Sequence, residues 1–474
     1  MKRKTPYRRG AGILLFASLM LVTLTGLHGQ VRPPAGELET RIGILQATLD
    51  TLGACAIVRS APMVERNHDV EYPYRQSSEM VYYTGWEYPE AVLIITPVTS
   101  PQPHFRFFVK ARDLTHEVWT GPLEGVAEAR ERLPFATVNP MLDFWNEVDQ
   151  HVNGTQILFL SDGGDRDFRR DLLEHLDGKA VTPDSLGELA EIGKYQRLVK
   201  SKWEIAQLQQ AIDITEASLR EAIARIPSLR HEYELAALIA YGFRSRGAVR
   251  LGFPSIVGSG QNSTYLHYSA NDDPLDRDGV VLMDVGAEWS FYSADISRTV
   301  PVDGSFSDKQ RKLYELVLHA QEAAIEVVAP GVPFREPHRV AVRELTAGLV
   351  ELGLLEGEVD SLIDSREYRR FFMHGTSHWL GLDVHDAGGY EAANGVPHML
   401  EPGMVLTVEP GLYIAPNTEG VPKGWWNLGI RIEDDVLVTE NGHRVLSESI
   451  PKTVAELEAM MQETRRPFWR FLTN

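Results

Sequence analysis

A single cysteine, Cys55, stands among the 474 residues. No internal disulfide can therefore form, and no zinc site built on several thiolates is available. Positive charge is also short: 47 lysines and arginines face 66 aspartates and glutamates, for a net charge of −19. That balance opposes broad electrostatic binding of nucleic acid or anionic lipid. Beyond the first thirty residues there is no long apolar run, no low-complexity tract and no internal repeat. What remains is ordinary for a folded chain, 43% hydrophobic and 24% charged, and long enough for two or three domains with cores of their own.

The first thirty residues differ from the rest. Lys2, Arg3, Lys4, Arg8 and Arg9 precede an apolar stretch from about Gly12 to Leu27, and no acid comes before Glu37. A basic segment followed by a short apolar one predicts a signal peptide over residues 1–29, with cleavage near Gly29. The alternative is an uncleaved N-terminal anchor; Arg8-Arg9 fits a twin-arginine signal poorly. The expected mature protein is exported, periplasmic or secreted, with no membrane span left.

From about residue 30 to 190 the pattern alternates strands and helices. Ala91 to Ile95 is an apolar run between Pro89 and Pro97, His104 to Val109 and Gln156 to Leu160 are similar, and Gly121 to Arg132 reads as a helix. This predicts an α/β domain. A boundary is expected near 185–200, followed by a second domain over 191–460 and a tail over 461–474. The second domain opens with Ser201 and Glu204 at capping-box spacing, and helices are expected over 201–226, 232–246, 308–328 and 336–353. Its clearest strands are Val280 to Val285, Val405 to Glu409 and Ile430 to Val438.

Those strands carry acids where burial is expected. Asp284 ends the run Val280 to Met283, and Asp295 follows eleven residues later. An odd separation allows the two to sit directly opposite in an antiparallel hairpin turning around Trp289-Ser290, about 4.5–5.5 Å apart between Cβ atoms. Such a pair repels strongly without a counter-ion, although each aspartate alone reads equally as a salt bridge or a cap. The pattern then recurs. Glu409 ends Met404 to Val408, Glu433 lies in Gly429 to Val436, and His374, His378 and His385 arrive in one segment. Four carboxylates and an imidazole suit Mn²⁺, Co²⁺ or Zn²⁺ in a two-metal site better than a structural zinc.

Met283 to Gly286, Ala294 to Thr299, His374 to Asp386, Glu401 to Tyr413 and Arg431 to Asp435 resemble the M24 "pita-bread" metallopeptidases, in particular their aminopeptidase P branch. Tyr82-Tyr83-Thr84-Gly85 and Ala111-Arg112-Asp113 resemble that branch's N-terminal domain, and the likeness spans roughly residues 40–460. It implies an α+β chain: a C-terminal pita-bread fold behind an N-terminal α/β domain of the aminopeptidase P type. It further implies Asp284 and Asp295 on one metal ion, with Asp295, His378, Glu409 and Glu433 on the other, Asp295 and Glu433 bridging. The cofactors implied are two divalent ions, Mn²⁺ foremost, with a bridging hydroxide as nucleophile. Glu409 would accept a proton, and His267, His374 and His385 would position substrate and stabilise the oxyanion. Arg431 shares a strand face with Glu433 and is expected to orient the carboxylates.

The implied substrates are peptides with proline in the second position, and family members are often homodimers or homotetramers. A prolidase acting on Xaa-Pro dipeptides shares the same ligands. A metal-free binding module or a creatinase-type hydrolase should lack some of them, and none is missing here. His338, His398 and His443 are assigned to the surface. Tyr413 reads as either a hydrogen-bond partner or packing. Trp425 and Trp426 read as packing, with a place in a proline pocket as the alternative.

Overall fold

The computed structural model describes residues 31–463, except 116, 178–184 and 392–394. The signal peptide expected over 1–29 and all but the first three residues of the tail expected over 461–474 lie outside these residues.

The first half is built on a six-stranded mixed sheet. In spatial order the strands are Thr137–Pro140, Phe105–Val109, Ala91–Ile95, Ala54–Arg59, Ile157–Ser161 and Ser185–Glu188. Both faces are covered, so strand residues alternate between two cores, as the two-residue period of a strand requires. Ala54, Ala56, Val58, Leu93 and Phe107 join the main core with Leu38, Met80 and Trp86. Cys55, Ile57, Val92, Ile94 and Leu160 face the other way, against Phe144, Val148, Phe168 and Leu172 of two helices. Cys55 is thus a packing residue, and burial pushes its thiol up to about 12. The helix expected over 121–132 is shorter, Val126–Arg132. Pro122 and the extended Gly125 hold the preceding residues out of it, and the Glu128 carboxylate accepts the Gly125 N–H at 2.9 Å.

Helix Leu189–Leu198 leads to the second half. The capping box then forms: Ser201 Oγ accepts the Glu204 N–H and Glu204 Oε2 accepts the Ser201 N–H, starting helix Lys202–Arg225. Helices Glu232–Ser245, Asp308–Glu326 and Glu336–Glu351 follow, close to their expected spans. With the first helix they pack around short sheets: Ile256–Ser259 with Val280–Val285 and Ile296–Pro301, Val405–Val408 with Asp434–Thr439, and Gly411–Ile414 with Leu428–Arg431.

Two expectations about these strands need correction. The strand expected over 430–438 is two strands, broken at Ile432 and Glu433, so Arg431 and Glu433 do not share one strand face. The hairpin after Val285 turns one residue later than expected, at Ser290 and Phe291, whose φ values of 50° and 70° suit a type I′ turn. Asp284 therefore pairs with Ser297. The register continues through Ala294 N–H to Ala287 O at 3.1 Å, which sets Asp295 against Gly286, on the diagonal from Asp284. Only glycine fits there, because a Cβ on Gly286 would lie 1.7 Å from the Ala294 carbonyl oxygen. The two aspartates still share a face.

One buried group in the first half makes no hydrogen bond among the described residues. His151 is buried on helix Phe144–Val152, neither ring nitrogen is bonded within them, and Glu147 stands 3.9 Å away, too far to bond. Burial, and then the Arg106 charge, pushes it down to about 4. The unfolded chain therefore takes up the proton first, and stability falls as pH drops from about 6.5 towards 4. His151→Leu should remove about 2 kcal/mol of that acid sensitivity between pH 7 and 4.5. Urea melts of both proteins at the two pH values check this; equal losses in the two would contradict it.

Candidate metal centre

Each acid sits where a strand ends or breaks. Asp284 is next to last in Val280–Val285, Glu409 follows Val405–Val408, and Glu433 occupies the break before Asp434–Thr439. Ligand atoms of Asp295, His378 and Glu433 lie within 4.8 Å of one another. His378 Nε2 is 3.3 Å from Asp295 Oδ2 and 3.8 Å from Glu409 Oε1. Asp284 joins them along one cavity wall with His267, His374, His385 and Arg431. All nine site residues expected from the sequence thus face one cavity.

The partners of these residues fix their orientation. His378 Nδ1 lies 3.1 Å from the Trp379 carbonyl, so it carries the proton and leaves the Nε2 lone pair free towards the acids. Its backbone N–H bonds Thr407 Oγ1, and the Thr407 N–H returns to the His378 carbonyl. The Glu409 N–H bonds the Thr376 carbonyl at 2.8 Å. Asp295 is held by its backbone, whose N–H bonds Asp435 Oδ2 at 3.2 Å. Ser297 Oγ donates to Glu433 Oε2 at 2.8 Å.

Arg431 does orient a carboxylate, but that of Asp284 rather than Glu433. Its Nη2 lies 2.6 Å from Asp284 Oδ2, Nε bonds Ser297 Oγ, and Nη1 bonds Tyr413 Oη at 2.9 Å. Tyr413 Oη then lies 2.8 Å from His374 Nε2, while His374 Nδ1 meets the Gly375 carbonyl at 2.7 Å. Both nitrogens of His374 are therefore engaged within the protein. His267 and His385 face the cavity with no hydrogen bond among the described residues. The His385 ring stacks on His378 at 4.0 Å between centroids.

Sequence reasoning missed Ser297 and Asp435 as partners. Each lies two residues beyond a ligand candidate, and the two-residue strand period was the available signal. The three histidines assigned to the surface are half-buried and partnered. His338 bonds Thr376 Oγ1 at 2.8 Å, His443 bonds the Val328 carbonyl, and His398 stacks on Tyr195. Trp425 is buried in the main core and Trp426 bonds the Val421 carbonyl, both away from the cavity wall.

Residues 206–440 match metallopeptidase family M24, and residues 43–159 match the aminopeptidase P N-terminal domain. The Xaa-Pro aminopeptidase of Escherichia coli K12 is 39% identical over 426 residues, 87% of this chain and 95% of its own. Xaa-Pro aminopeptidase 1 of Streptomyces coelicolor is 33% identical across 92% of this chain and 89% of its own. The chain belongs to metallopeptidase family M24. The solved aminopeptidase PepP of Pseudomonas aeruginosa superposes with a TM-score of 0.87 at 38% identity, covering 92% of this chain and all of that one. An Escherichia coli aminopeptidase P bound to the inhibitor Pro-Leu gives a TM-score of 0.86, also at 38% identity and the same coverage. The fold is the pita-bread fold behind an aminopeptidase P N-terminal domain, and the M24 chain is a metallo-aminopeptidase, a hydrolase dependent on divalent metal ions.

The residues fit such ions. Asp284 Oδ1 is buried without a hydrogen-bond partner among the described residues. Burial and the charges of Asp284 and Asp435 push Asp295 well above the usual carboxylate range; burial and the charges of Asp295 and Glu409 do the same to Glu433. Burial above all pushes Glu409 up to about 7. Burial and then Arg431 push His374 down to about 3, which holds it neutral.

Stripped of metal, the M24 enzyme should therefore be destabilised by these acids more at neutral pH than in acid. A carboxyl with a raised folded pKa contributes stability below its unfolded pKa, near 4.5, and loses it as pH rises through the folded value, for Glu409 about 7. Chelation should lower the melting temperature more at pH 7.5 than at pH 5, by roughly 5 °C or more. Thermal melts with and without chelator measure this. The same drop at both pH values would show that cations do not neutralise these acids.

Proposed function

We propose that this M24 enzyme is an exported aminopeptidase that releases the residue preceding proline from peptide N-termini, with two divalent ions, Mn²⁺ foremost, held by Asp284, Asp295, His378, Glu409 and Glu433. The observation that carries the dinuclear reading is an imbalance of charge. Four carboxylates converge, and the one guanidinium among the described cavity residues, Arg431, is committed to Asp284. One divalent ion would leave the site anionic in a medium where uncompensated charge costs several kcal/mol. Asp295 and Glu433, each flanked by other acids, would be the residues shared between the two ions. When bound, such a pair supplies Lewis acidity and a water acidic enough to react at neutral pH.

The protein's own groups do the rest. Glu409, at the edge of the acid cluster with His374 Nδ1 3.7 Å away, is placed to accept a proton and return it to the leaving amine. His378 presents Nε2 because the Trp379 carbonyl holds its other nitrogen. His267 and His385 offer donors towards a developing oxyanion, since they carry no hydrogen bond among the described residues. His374, wired between Tyr413 and Gly375, holds the Glu409 side of the wall.

The runner-up, a prolidase, needs a cation for the dipeptide's terminal carboxylate. Arg431 is already engaged by Asp284, Ser297 and Tyr413, which favours peptides that continue beyond proline. The relatives named Xaa-Pro aminopeptidases and the Pro-Leu inhibitor support the same choice. Purified enzyme loaded with Mn²⁺ should cleave Arg-Pro-Pro and leave Gly-Pro nearly untouched, and His378→Ala should lower kcat at least about 100-fold. Efficient cleavage of the dipeptide alone would make it a prolidase.

Support for export comes from the basic and then apolar order of the first thirty residues, and no described helix is long and apolar enough to cross a membrane. N-terminal sequencing of the mature protein should begin just after Gly29; an intact Met1 terminus would contradict export with cleavage.

A further inference from the structure

His378 and His385 are seven residues apart, yet their rings stack. The intervening chain must double back, and the way it is pinned joins the two halves of the molecule. Asp386, buried, is paired with Arg197 Nη2, and Lys200 Nζ lies 3.1 Å from its other oxygen. Arg197, also buried, reaches Asp383 Oδ2 at 2.7 Å with the same nitrogen. From the N-terminal half, Ser78 Oγ donates to Asp383 Oδ1 at 2.7 Å, and Arg75 Nη2 donates to the Leu382 carbonyl at 2.8 Å. The Asp386 N–H closes the segment on the Trp379 carbonyl at 2.9 Å. The seat is tight: a Cβ on Gly381 would lie 2.1 Å from Asp386 Oδ2 and 3.1 Å from Lys200 Cε. His385 itself makes no hydrogen bond among the described residues, so its place over His378 is set by this backbone.

We propose that Arg197 is a positioning residue for His385, acting through Asp383 and Asp386, and that Arg75 and Ser78 carry the same function from the N-terminal domain. The cations do not touch the cavity. They neutralise the two acids flanking His385, so that the segment can fold back with both carboxylates turned away from substrate. The N-terminal domain is thereby part of the catalytic apparatus of its own chain. This rests on the reading above that His385 faces the substrate.

A double-mutant cycle tests it. Arg-Pro-Pro hydrolysis is measured for Arg197→Met, Arg75→Met and His385→Ala, and for each arginine variant combined with His385→Ala, all loaded with Mn²⁺. Each arginine variant should lower kcat about 10- to 100-fold, with KM changed less and Mn²⁺ affinity by calorimetry unchanged. Neither should lower activity further once His385 is alanine, and Arg197→Lys should recover part of the loss. Arg75→Met leaves Asp386 paired, so it decides the matter if Arg197→Met fails to fold. Losses that multiply with that of His385→Ala would overturn the proposal, as would a drop in Mn²⁺ affinity, which would mean action through His378. Full activity of His385→Ala alone would overturn the reading of His385 and the proposal with it.

Discussion

The catalytic half is arranged around the repulsion between four carboxylates that share a single guanidinium, Arg431, among the described cavity residues. The chain shows how differently it treats an acid it intends to neutralise itself. Asp434 and Asp435 are adjacent and equally buried. Asp434 is met by Arg298, Gln321, Ser447 and Lys452, and despite its burial the charges of Arg298 and Lys452 pull it below the usual carboxylate range. Asp435 points to the other side of the strand, towards Asp295, and burial pushes it far above that range. Glu433, in the break just before this strand, also turns towards Asp295. The acids are thus sorted: Asp434 is compensated within the protein, while Glu433 and Asp435 stand beside Asp295. Arg298, fully buried, binds the Glu433 carbonyl and Asp434 at once, so the compensated acid anchors Glu433.

Strand ends are where such acids can exist. A carboxylate in mid-ladder has neighbours that demand packing, whereas one at a break can turn its side chain into a cavity while the backbone bonds elsewhere. Asp284, Glu409 and Glu433 each lie at an end or a break, and the backbone N–H groups of Glu409 and Glu433 go to carbonyls of Thr376 and Ser297 outside their own strands. The cost of breaking ladders is offset by a large shared core that runs from Leu38 and Trp86 through Leu208 to Ile430. That continuity also explains why the N-terminal half is not a loosely tethered appendage: Arg75 and Ser78 reach the segment that carries His385.

The sequence was most legible where the signal is local. Ser201 and Glu204 make the capping box their spacing announces, and the apolar runs at Ala91 and Val280 become strands over the expected residues. The converging acids were legible because an acid at the end of an apolar run is conspicuous. The errors have a common cause, which is tertiary context. The hairpin turn falls on Ser290 and Phe291, both at positive φ, without the Asn-Gly or Gly that usually marks such a turn. What holds it is remote: Ser290 Oγ accepts the Val31 N–H, and Phe291 lies under the guanidinium groups of Arg250 and Arg75. The break at Ile432 and the burial of His338 likewise depend on partners far along the chain, and no spacing rule reaches them.

One consequence of Arg431 could not be read from spacing at all. Guanidinium only donates, so Tyr413 Oη must accept from it and direct its own proton to His374 Nε2. His374 then carries its proton on Nδ1, where the Gly375 carbonyl receives it. A residue with no acceptor at one end and a carbonyl with no proton at the other polarise the chain in a single direction. His374 is thereby fixed in one tautomer and kept neutral 3.7 Å from Glu409. A protonated imidazole there would compete with a metal ion for that carboxylate; a neutral one does not. The wiring that begins by pinning Asp284 therefore also keeps Glu409 available, and two acids from different strands depend on one arginine.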